Sequence, residues 1–270
     1  MSVWGSSASD IWAVGSEGCV VHFDGKAWQQ LPSITSHNLT AVAGAAADDV
    51  WAVGAEGVVL HYDGHNWTET ESTEGRVLLG ASENGSGELW VSGVQGGMGY
   101  VRHYTKEKTW ESKHIPDSKS LWRTSSHGDN VWVVGSDDQA KGFVLRGDGK
   151  RLDRVPFTGA GLRGVYAPSP NDVWVATYDG ALQHWDGNQW GPATTVPDAH
   201  WLGLWGSAPN DIWAFGLGGT AYHYTGTTWS RVDTGTHDIL WAAWGRAAND
   251  VWFVGNAGTR LHWTGQKFER

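Results

Sequence analysis

A chain of 270 residues could hold one domain or two on length alone. Its 20 Trp and 38 Gly against two Met point to aromatic strands joined by tight turns, not to amphipathic helices. The formal net charge of −10, with no run of Lys or Arg, argues against nonspecific binding to nucleic acid or to an anionic membrane.

The single cysteine, Cys19, excludes an internal disulfide, and beside Val20-Val21 it reads as a buried, inert thiol. No apolar stretch is long enough to span a bilayer, so no direct membrane insertion is expected. Met1 leads straight into repeated sequence with no signal-peptide pattern.

The phrase Asp-Ile/Val-Trp, or a close variant, recurs with its tryptophan at Trp12, Trp51, Trp90, Trp132, Trp174, Trp213 and Trp252. The intervals are 39, 39, 42, 42, 39 and 39 residues, a spacing that marks a repeat architecture. The approximate repeats are 1–35, 36–73, 74–117, 118–158, 159–197, 198–236 and 237–270, forming a single domain over 1–270.

The second repeat shows the plan. Leu39–Ala43 is a short apolar strand, Gly44–Asp48 a turn, and Asp49–Val53 a second strand. Val58–Tyr62 is a third, Asp63-Gly64 a tight turn, and Asn66–Thr70 a more polar fourth. Ten residues after the key Trp comes a histidine: His22, His61, His184, His223 and His262. His103 stands at a longer spacing, and repeat four has Arg146 instead.

Repeats three and four carry insertions between their second and third strands, Val94–Tyr100 and Ser136–Gly142. Repeat five places Tyr178-Asp179 in the corresponding turn, and repeat four departs again with Trp122 and Arg123. The chain begins inside an inner strand at Val3-Trp4 and ends in an outer one at Lys267–Arg270.

Seven four-stranded units without polar capping repeats imply closure into a ring. The expected fold is therefore all-β: a seven-bladed β-propeller with four antiparallel strands per blade, each blade built from one contiguous repeat. Blades one and seven should each own four strands and meet only through side chains.

The phrases Val3–Gly15 and Leu204–Trp213 resemble the tryptophan-rich repeats of bacterial, notably myxobacterial, surface or secreted propellers. They are also similar to Asp-box and kelch-like repeats, although Asp24-Gly25 and Asp63-Gly64 lack the residue that separates Asp from Gly in the Asp-box. The resemblance implies an extracellular or cell-surface location. It says little of function, since propellers host many activities.

The histidine column does not fit a metal site. Equivalent residues of different blades lie on a wide circle, whereas zinc ligands converge to about 2.0–2.1 Å. Each histidine is expected to bond a nearby group such as Asp10, Asp49, Asp172, Asp211 or Asp250. Eight residues before the key Trp stand Trp4, Ala43, Tyr166, Trp205 and Trp244, with Gly80 and Thr124 assigned to repeats three and four. These large residues should pack between blades and could wall one side of a lopsided cavity.

No nucleophile elbow, His-Glu-x-x-His pair or phosphate-binding loop is present, and no cofactor is implied. Insertions in repeat proteins often share a binding face, which places the candidate ligand contacts at Trp122, Arg123, Gln139 and Tyr178, with Asp137 and Asp138 as the best local acidic cluster. The leading expectation is a monomeric, non-enzymatic module binding a glycan, lectin-fashion, or a protein partner. The alternatives are a polysaccharide hydrolase or lyase working at the funnel mouth, and a purely structural domain of a larger surface protein.

Overall fold

The computed structural model describes residues 1–148 and 151–270. Among them, 28 strands form seven four-stranded antiparallel sheets, each a meander of four consecutive strands. This is the seven-bladed propeller that the repeat implies. The innermost strands are Ser2–Ser7, Leu39–Ala46, Arg76–Glu83, Ser120–His127, Leu162–Ser169, Trp201–Ala208 and Leu240–Ala247. In blade two the first strand runs three residues further than its apolar stretch, so the turn narrows to Ala47-Asp48.

The ring closes without a shared sheet. Blade one is Ser2–Ser7, Asp10–Val14, Val20–Phe23 and Trp28–Gln30, and blade seven likewise uses only its own strands. The seam is aromatic: Trp252 of blade seven meets Phe23 at 5.2 Å and Trp28 at 5.5 Å.

The same contact joins blades around the disc. Trp12 packs on Tyr62 and Trp67 of the next blade, Trp174 on Tyr224 and Trp229, and Trp213 on Trp263 and Phe268. Six of the seven key Trp also stack on their own blade's histidine, as Trp51 does on His61 at 4.0 Å, while Trp132 has Arg146 over its ring. That histidine bonds the Asp two residues before the Trp, at 2.6 Å in His22–Asp10, 2.8 Å in His61–Asp49, 2.6 Å in His184–Asp172, 2.5 Å in His223–Asp211 and 2.7 Å in His262–Asp250. The column is a set of five local couples, as its spacing implies.

The inner aromatics pack sideways. A Cβ on Gly44 would fall 2.7 Å from the Trp4 ring, and the ring of Trp244 sits as tightly on Gly5 of the next blade. Glycine at these places admits the neighbouring ring. The register corrects two assignments in this column. Opposite the key Trp in blades three and four stand Ser82 and Ser125, not Gly80 and Thr124: Ser82 keeps the eight-residue spacing of the regular repeats, and Ser125 stands seven before Trp132 because blade four lacks the bulge beside its first turn. The column remains large in blades five, six, seven and one and small in two, three and four.

Blade three's insertion is not a loop. It lengthens a hairpin, Leu89–Gln95 paired with Met98–Tyr104, capped by Gly96 and Gly97 with φ of 61° and 76°. Two successive left-handed residues suit the tight turn between twisted strands. In blade four the insertion is a true loop, 137–141, between Asn130–Ser136 and Gly142–Gly147.

Candidate functional site

One device builds the mouth of the channel. Near the start of the first strand a residue is skipped in the pairing: Thr40 between Leu39 and Ala41, Leu79 between Leu78 and Gly80, and Trp122 between Leu121 and Arg123. Arg163, Leu202 and Trp241 are skipped in blades five to seven. A bulge leaves its extra residue unpaired and re-aims the side chain. All six bulged residues line one cavity of about 280 Å3 at the centre of the disc, on the face that carries the turns between second and third strands.

The ring is chemically lopsided. Blade two contributes a hydroxyl, blade three an aliphatic chain, blades four and seven indoles, and blade five a guanidinium. The Arg163 guanidinium lies over the Trp122 ring at 3.5 Å and reaches the Tyr178 ring at 5.4 Å. Tyr178 is 42% exposed and stacks at 5.0 Å on His200, whose Nδ1 is 2.9 Å from the Tyr178 carbonyl. Across the mouth Trp241 donates its indole N–H to Asn256 at 2.6 Å.

Arg123 sits beneath this ring. Its side chain lines both the mouth and a second cavity of about 460 Å3 lower in the channel, so it marks the neck between them. Nη1 donates to the carbonyls of Leu79 and Trp122, each at 3.1 Å. It keeps some surface open to the lumen while protein crowds it on all sides. Burial, and then the charge of nearby Arg163, hold its pKa down to about 10. Burial likewise lowers that of Arg163, while Tyr178 acts in the opposite sense.

Arg123, held at about 10, remains charged at neutral pH, and among the described residues neither guanidinium is paired with a carboxylate. Among the described residues no carboxylate lines the mouth, and Glu83 is the carboxylate of the lower cavity. Among the described residues the ion pairs that arginine makes lie elsewhere, at Arg76, Arg102, Arg151 and Arg246. Crowded, unpaired guanidiniums carry a desolvation cost that an anion would relieve.

The structure brings Trp122, Arg123 and Tyr178 together through Arg163. Gln139, Asp137 and Asp138 stand apart in the blade-four loop. Asp137 accepts the backbone N–H groups of Gln139 and Lys141, each at 2.9 Å, and so shapes the loop itself. Asp138 lies 3.5 Å from Lys119 on the exposed surface. Arg163 and Trp241 escape a reading based on insertions. Their signal is the position eleven before the key Trp, where Thr40, Leu79 and Leu202 also stand. Trp122 is one step out because blade four's first strand lacks the second bulge that blade two carries at Gly44/Ala46, so His127, Ser126 and Ser125 pair without a break with Asn130, Val131 and Trp132.

No protein-family model matches the chain, and no curated protein matches it in sequence. Solved structures share its fold. "YCF48 bound to D1 peptide" superposes with a TM-score of 0.76 at 15% identity, over 97% of this chain and 90% of that one. YCF48 from Cyanidioschyzon merolae gives 0.72 at 16% identity, over 97% and 94%. At this identity the likeness is one of fold.

Proposed function

We propose that the protein is a peptide-binding propeller that takes a carboxylate-bearing segment of a partner protein into the mouth ringed by its six bulged residues. The observation that carries this reading is the pair of guanidiniums, Arg123 and Arg163, set at one neck without a counter-charge. Arginine's planar fork suits a carboxylate, and the flanking rings of Trp122, Trp241 and Tyr178 suit the apolar parts of an extended chain. Support comes also from YCF48, a propeller of the same shape solved with a peptide bound. A protein of net charge −10 that keeps two arginines in its channel attracts an acidic segment locally while repelling it elsewhere.

The test is calorimetric titration with short acetylated peptides that differ only in Glu against Gln. The Glu peptide should bind at one site per chain, and Arg163→Ala should weaken it at least about tenfold, or ~1.4 kcal/mol. Equal affinity for the two peptides would sink the reading. A glycan reading makes a different forecast: near-identical blades should offer several equivalent sugar sites, so a glycan array positive at several sugars per chain would favour it instead.

A further inference from the structure

We infer that the outer rim between blades three and four holds a second site, built to receive a guanidinium from an arginine-bearing segment. Two departures from the repeat coincide there. The first concerns the cover over the key Trp. In six blades the third and fourth strands present a facing aromatic pair: Phe23 and Trp28, Tyr62 and Trp67, Tyr104 and Trp110, Trp185 and Trp190, Tyr224 and Trp229, Trp263 and Phe268. In blade four Gly147 faces Leu152 at those places. The key Trp that lacks an aromatic cover is Trp90, which is 5% exposed and shares its cluster with the aliphatic Leu145 and Leu152 instead. Cavities of about 520 and 180 Å3 open beside it, and both are lined by Trp90, His103 and Glu111.

The second departure is a broken couple. Where five blades have Asp two residues before the key Trp, blade three has Glu88. Its longer side chain turns to Asn84, whose Nδ2 donates to it at 2.8 Å, and to Ser86. It also lies 3.7 Å from Lys106 Nζ, and it stays 3.4 Å from His103 Nε2, a longer and looser contact than the 2.5–2.8 Å of the five Asp–His couples. His103 is only 6% exposed, stacks on Trp90 at 4.0 Å, and has neither ring nitrogen bonded among the described residues. A buried imidazole with two unmet hydrogen-bonding atoms facing a cavity is a group waiting for a partner.

The charge around the cavity says which partner. Glu88, Glu107, Glu111, Asp129 and Asp148 line the larger cavity with Lys106, while Lys113 and Arg151 stand with Glu111 at the smaller one, so the acidic excess belongs to the larger cavity. A cation is favoured, and the indole floor favours a flat one that can stack. The chain shows the same chemistry twice nearby: Arg102 lies 4.2 Å over Trp110, and Arg146 lies 5.4 Å over Trp132. A bare metal ion is the poorer fit, since no group of three His, Cys, Asp or Glu is placed to hold one among the described residues. Burial, opposed by Glu88 and Glu111, pushes the His103 pKa down. The ring is therefore neutral and can accept from a guanidinium N–H.

Calorimetry with Nα-acetyl-arginine methylamide, against its lysine and glutamine counterparts, tests the site. The arginine probe should bind at least tenfold more tightly than the glutamine probe. Leu152→Trp, which restores the aromatic of the other blades, should abolish that preference without lowering the melting temperature. Glu111→Gln should weaken the arginine probe several-fold and keeps the test in force if Leu152→Trp folds poorly. Arg163→Ala should leave it unchanged, which separates this site from the mouth. Equal binding of the three probes, or an arginine preference that survives both rim variants, would overturn the inference.

Discussion

Two rings of equivalent positions run around this disc, and they have diverged in opposite ways. The belt between blades repeats one arrangement of Asp, His and Trp with little change: Asp10–His22, Asp49–His61, Asp172–His184, Asp211–His223 and Asp250–His262. The mouth, made by equally regular bulges, holds Thr40, Leu79, Trp122, Arg163, Leu202 and Trp241. Belt residues each solve the same local packing problem at a different junction. Mouth residues share one space, so each can differ while the fold is kept. Regular backbone with irregular side chains produces one asymmetric cavity at the axis.

The comparison breaks if mouth and belt respond alike to truncation. Trp213 is fully buried and touches His223, Phe253, Trp263 and Phe268. Trp213→Ala should cost about 3–5 kcal/mol by urea or thermal unfolding. Trp241 is half-buried at the mouth, and Trp241→Ala should cost far less stability while weakening the Glu peptide. Equal destabilisation by the two would make the mouth ring a second structural belt.

A smaller effect of opposite sign sharpens the contrast. Arg123→Met removes a crowded charge that lacks a counter-charge and keeps an unbranched chain of similar reach. Stability should rise by about 1 kcal/mol while peptide affinity falls, the exchange expected where a site is held for binding. A loss of stability would assign Arg123 a structural role through its bonds to the Leu79 and Trp122 carbonyls.

The belt was legible in the sequence because its residues recur in register with the key Trp, and a constant spacing exposes a shared role. The mouth was half legible. Trp122, Arg123 and Tyr178 stand out because they interrupt the repeat, while Arg163 and Trp241 sit in regular repeats and interrupt nothing. A bulge has no residue signature here, since Thr, Leu, Trp and Arg all occupy it, so its effect on direction emerges only from the pairing. Insertions were an uneven guide. One brought a loop whose Asp137 serves its own turn, and the other merely lengthened the hairpin around Gly96-Gly97.

The weakest expected effect probes blade three, one of the two blades that lack the Asp–His couple of the belt. For Asp211, burial raises the pKa, but the hydrogen bonds from His223 and Ser207 prevail and hold the carboxyl below its ordinary value. Its contribution to stability is present above the unfolded value near about 3.9 and is lost as pH falls through the lower folded value. His103 works in another window. Its folded pKa lies below the ordinary 6.5 because burial outweighs Glu88 and Glu111. As pH falls through about 6.5 the unfolded chain takes up the proton first, so stability is lost there, well before any carboxylate titrates. His103→Gln removes that loss. Urea unfolding at pH 7.5 and 5.5 should show wild type losing ground to His103→Gln as pH falls. A shift the other way would mean that His103 is protonated and paired with Glu88 after all. Blade three would then keep the couple of its five counterparts, and the rim would have lost only its aromatic cover.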